Sequence, residues 1–73
     1  MTEDTLTNED RAEIGMRALV ALEFSTMCQE DLQNSIVDLI ADLLHLANQK
    51  SFDPPAIMDA AYMHFEAEIR EEG

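Results

Sequence analysis

Asp38, Asp42 and His45 follow one another at spacings of four and three residues. On a helix such spacing places side chains along one face. Two carboxylates and an imidazole there have the donor chemistry of a divalent-cation site. The same trio is also what the solvated side of an amphipathic helix looks like, and the clean apolar pattern opposite favours that simpler reading. His64 and Glu68 form a second i,i+4 pair, suited to a metal or to a hydrogen bond. Tyr62 reads as a core-edge aromatic whose hydroxyl reaches water. Cys28 is the only cysteine, so no intrachain disulfide can form, and no Cys/His cluster with zinc spacing occurs. No Gly-rich phosphate loop, nucleophile elbow or Cys/His pairing occurs. We therefore assign no catalytic residue, no metal ligand and no cofactor, and read the chain as non-enzymatic.

The stretch Val37-Asp38-Leu39-Ile40-Ala41-Asp42-Leu43-Leu44 resembles the acidic helix of the all-α MazG-like nucleotide pyrophosphohydrolases. Members of that family hold magnesium with E-x-x-E on one helix and E-x-x-D on the next. Here Asp38 and Asp42 are four apart rather than three, and Asp10-Arg11-Ala12-Glu13 follows the first motif only loosely. No Lys or Arg lies between Arg17 and Lys50, near Asp38 and Asp42, to hold a phosphate. Metal-dependent nucleotide hydrolysis thus ranks third among the functional readings, and no catalytic residue is carried over.

Three helices must position these residues. Thr7-Asn8-Glu9-Asp10 is a helix start, with Thr7 or Asn8 as cap and Asp10 at the capping-box position after Thr7. The first helix is expected over 8–26. No Gly or Pro lies between Ala18 and Leu46, so the first break is poorly marked. Phe24-Ser25-Thr26 is a weak helix stretch, and Ser25 or Thr26 could cap a second helix over 29–49. Along that helix Ile36, Leu39, Ile40, Leu43, Leu46 and Ala47 share one side, and Asp31, Asp38, Asp42, His45 and Gln49 the other. Asp53-Pro54-Pro55 starts a third helix over 54–71, with Asp53 at the N-cap and Pro54 at the first helical position. Phe52 sits where a hydrophobic staple to Ile57 or Met58 belongs. The expected fold is all-α: a compact three-helix bundle formed by one domain over 8–73, after a flexible N-terminus over 1–7.

The first helix carries apolar residues nearly all round. Ile14, Ala18 and Ala21 make a small-residue side, expected to face the other two helices. Met16, Val20, Phe24 and Met27 make a bulkier side. Three short helices cannot surround one of their own members, so these four are expected to meet another chain. Methionine suits such a surface because it is flexible and polarisable. The plainer reading is that Met and Phe are ordinary core.

With 16 acidic against 4 basic residues, the net charge is −12. That balance disfavours direct binding to nucleic acid or an anionic membrane and favours a partner with a basic surface. Solubility alone would also account for it. Met1 to Thr7 lacks a basic stretch followed by an apolar run, so it does not read as a signal peptide. With a lone thiol, this gives a cytoplasmic expectation. A chain of 73 residues has a marginal core, and without disulfide or metal it depends on helix packing or on association.

Asp38-Leu39-x-x-Asp42-Leu43-x-His45, Phe52-Asp53 and His64-Phe65-x-x-Glu68 give a profile similar to small bacterial and phage open reading frames. The short, strongly acidic chain resembles phage-encoded inhibitors of host defence, the anti-CRISPR and anti-restriction proteins. That resemblance implies a partial nucleic-acid mimic, an inhibitor docking on a basic surface of a nucleic-acid-handling complex. Its acidic contacts would be Asp31, Asp38, Asp42, Glu66, Glu68, Glu71 and Glu72. The second reading is a small homodimeric regulatory or structural module with the first helix as its seam.

Overall fold

The structure, a computed structural model, describes residues 7–72. It is an all-α bundle of three helices: α1 (Asn8–Ala21), α2 (Gln29–Gln49) and α3 (Pro54–Glu72). Each helix touches both others. The expected loose segment over 1–7 lies outside the described residues except for Thr7.

Thr7 is the N-cap of α1, with extended backbone. The Asp10 N–H donates to Thr7 Oγ1 at 3.0 Å, and the Thr7 N–H donates to Asp10 Oδ2 at 3.2 Å. This reciprocal pair satisfies two of the orphan donors at the helix start.

The first helix ends at Ala21, five residues before the expected boundary at 26. Its stop is a Schellman motif. The Glu23 N–H donates to the Val20 carbonyl at 3.0 Å and the Phe24 N–H to the Leu19 carbonyl at 2.9 Å. Glu23 takes the left-handed conformation, φ 64°, a position usually held by glycine. A glutamate there gives no sequence warning, which is why the helix was expected to run on.

The cap of α2 also differs from expectation. Cys28 holds the N-cap position and makes no side-chain cap bond. Ser25, expected as a cap, instead donates its hydroxyl to Asp31 Oδ2 at 3.1 Å. Ser35, buried on α2, donates its hydroxyl to the Ser25 carbonyl at 2.6 Å. Two side chains one turn apart on α2 thereby tie down the loop 22–28.

The end of α2 repeats the device seen on α1. The Ser51 N–H donates to the Asn48 carbonyl at 3.1 Å and the Phe52 N–H to the Ala47 carbonyl at 2.9 Å, with Ser51 at φ 65°. The Asp53 carbonyl then accepts from the Ile57 N–H at 3.0 Å, opening α3 directly at Pro54 as expected.

The interior is thin. Among the described residues the buried apolar side chains are Leu19, 3% exposed, and Ala47, 6% exposed. Of the three residues expected to face the other helices, Ala18 is half-buried. Ile14 and Ala21 are exposed, whereas Leu19 is sealed and Met16 lies toward α2. Leu19 is two turns past Ala12 and one turn past Gly15, and these two small residues line an open trough beside α2. Phe52, the expected staple residue, is exposed.

Candidate functional site

Two apolar troughs run along α2. The first, about 430 Å³, lies against α1 and is lined by Ala12, Gly15, Met16, Leu19, Leu32, Ile36, Leu39, Ile40 and Leu43. The second, about 300 Å³, lies against α3 and is lined by Ile40, Leu43, Leu44, Ile57, Met58, Ala61, Tyr62 and Phe65. Ile40 and Leu43 border both, so the two troughs form one surface with α2 as its central ridge. Among the described residues, no charged side chain lines either trough. The α2 residues on this ridge are those whose periodicity predicted the buried side of the helix. In the single chain Ile36, Ile40 and Leu43 stay open, with Ile36 45% exposed and Leu43 55%, whereas Leu39 is half-buried. Tyr62 and Phe65 meet at the α3 wall with ring centroids 5.7 Å apart and a tilt of 40°, a favourable aromatic geometry. A Cβ added at Gly15 would meet nothing within 4 Å, so the α1 wall is hollow there.

The apolar residues singled out on α1 do not form one helical stripe. Met16 lines the first trough. Val20 is 59% exposed near the end of α1, and Met27 is 91% exposed. Phe24 is half-buried, its backbone committed to the turn that ends α1. Because α1 stops at Ala21, Phe24 and Met27 belong to the loop 22–28. The sequence reading missed the α2 ridge as an open surface. Its residues carried the strongest amphipathic signal in the chain, but periodicity cannot say whether an apolar face finds a cover within its own chain.

The acidic residues divide into two sets. Asp38, Asp42, Glu66 and Glu71 are exposed. Asp31 and Glu68 are half-buried and engaged within the chain. Asp31 accepts from Ser25 as described. Glu68 Oε2 stands 3.5 Å from Arg11 Nε, and its backbone carbonyl accepts from the Asn8 side-chain amide at 3.1 Å. These contacts join the start of α1 to the last turns of α3. Glu72 closes α3, and its side chain lies outside the described residues.

Among the described residues, no group of three or more His, Cys, Asp or Glu side chains is arranged to hold a metal ion, the trio Asp38, Asp42 and His45 included. Among the same residues, no helix is long and apolar enough to cross a membrane. No family model, curated protein or solved structure matches this chain.

Proposed function

We propose that this protein is a non-enzymatic, cytoplasmic binding protein that inhibits a nucleic-acid-handling complex of the host-defence type by docking on its basic surface. The observation that carries the reading is the separation of its two surfaces. Asp38, Asp42, Glu66 and Glu71 are exposed, while the described residues that line the troughs along α2 carry no charge. With a net charge of −12, the exposed acids supply the field that a Lys- and Arg-lined groove attracts. Because helices already fix their backbone, these carboxylates pay only the side-chain part of the ordering entropy on docking. Asp31 and Glu68, occupied inside the chain, contribute charge to that field rather than direct contacts.

The test is biological and then physical. Expression in a bacterial host that carries a restriction or CRISPR system should raise the plating efficiency of a sensitive DNA phage. The double variant Asp38→Lys/Asp42→Lys should lose at least ten-fold of that protection, and the affinity for the captured complex should fall steeply with added salt. Equal protection by the wild type and the charge-reversed chain, or none by either, would rule the reading out.

A further inference from the structure

We infer that the apolar surface along α2 is covered by a second copy of this chain, giving a symmetric dimer whose core is the pair of facing α2 ridges. The first argument is area. The chain exposes 6183 Å², whereas a folded monomer of 8.2 kDa exposes about 4,500 Å². Granting residues 1–6 and 73 the full area of an extended chain, about 1,100 Å², and removing them from the folded mass still leaves roughly 800 Å² in excess. That remainder matches the ~800 Å² each partner contributes to a standard stable interface.

The second argument is the size of the core. Leu19 and Ala47 are the buried apolar side chains among the described residues. A subunit of this size with so little interior needs a cover in order to fold, and a cover needed for folding must be present wherever the chain is made. A second copy meets that condition without further assumption, and obligate homodimers commonly lack a stable monomer. The third argument is charge. Among the described residues neither trough carries a carboxylate, so nothing in their lining selects a basic partner. What fits is another uncharged, apolar helix surface, and the α2 ridge itself is one. A two-fold axis through Ile40 and Leu43 sets ridge on ridge, as the self-complementarity of a symmetric interface demands. The acids Asp38 and Asp42, on the opposite side of α2 by helical spacing, stay outward and do not meet across the seam. This surface is separate from the acidic one assigned to the inhibited complex, so either assignment can fail alone.

Light scattering at tens of micromolar should give twice the 8.2 kDa chain mass, and the melting temperature should climb with protein concentration. Leu43→Glu places a charge in the seam twice, once per copy, and should raise the dimer dissociation constant about 100-fold or more. Met63→Glu is the control: Met63 is exposed on α3 and lines neither trough, so mass and melting temperature should stay as in the wild type. The measurement on the unaltered chain stands even if Leu43→Glu fails to fold. A monomer with a cooperative, concentration-independent melt overturns the proposal. So does a wild-type chain that stays unfolded alone at every concentration, which would assign the cover to a different protein. A Leu43→Glu chain that keeps both dimer mass and melting temperature would likewise place the seam elsewhere.

Discussion

The joint between α1 and α3 and the surface along α2 are built on opposite terms. At the joint, Asn8 and Arg11 reach Glu68 from the first turn of α1, at 3.1 Å to its carbonyl and 3.5 Å to its carboxylate. The polar groups there find partners inside the chain. Along α2, by contrast, Ile36, Ile40 and Leu43 line troughs that the chain itself leaves open. Hydrogen bonds at the joint are directional and fix where the helices sit, but each adds only about 1 kcal/mol net. Apolar burial is what supplies most of the free energy of folding, and it is the term this chain leaves incomplete. The polar pins set the geometry; completion of the core falls to whatever covers α2.

The comparison breaks most readily at Leu19. Among the described residues it is the one large side chain sealed within the subunit, and it also supplies the carbonyl that ends α1. Leu19→Ala should cost about 2–4 kcal/mol, as large-to-small core substitutions do. Urea unfolding followed by circular dichroism at fixed concentration measures it. A loss under about 1 kcal/mol would mean that the interior seen in one subunit contributes little, and that nearly all stability comes from the covered surface.

The all-α class, the span of α2 and the start of α3 were readable from the residues. Asp53-Pro54-Pro55 combines a residue suited to the cap with a proline at the first helical position, and apolar residues recur along α2 with helical period. Thr7 with Asp10 likewise announced its capping box. The end of α1 was not readable, because its left-handed turn falls on Glu23, a residue with no preference for it. The pin that fixes the next loop, Ser35 to the Ser25 carbonyl, depends on a tertiary contact that no local pattern encodes. The inward side of α1 was only partly readable: of Ile14, Ala18 and Ala21, Ala18 is half-buried and the other two are exposed, while Leu19 beside them is sealed. Glu23→Gly tests this account of the stop. It removes the steric cost of a side chain in the left-handed region, offset by the greater freedom of glycine in the unfolded chain. A net gain of about 0.5–1 kcal/mol in the same urea measurement is expected; a loss would show that the Glu23 side chain holds the turn by a contact of its own.

The smallest expected effect sharpens the other half of the comparison. Glu68→Gln keeps the size of the side chain and the backbone carbonyl that accepts from Asn8, and removes only the charge facing Arg11. Both partners are part-exposed, with side-chain exposures of 38% for Arg11 and 31% for Glu68. Solvent screens a pair of this kind, and such pairs contribute about 0.2–1 kcal/mol. The loss in Glu68→Gln should be about 0.5 kcal/mol in low salt and should vanish near 1 M salt, where the screening length shrinks to roughly 3 Å. Protection against phage should fall at most slightly, because Glu68 is turned to Arg11 and contributes one charge of the field rather than a direct contact. A loss above about 2 kcal/mol that persisted in high salt would give the α1–α3 joint an energetic role equal to burial, and the division between pinning and covering would no longer hold.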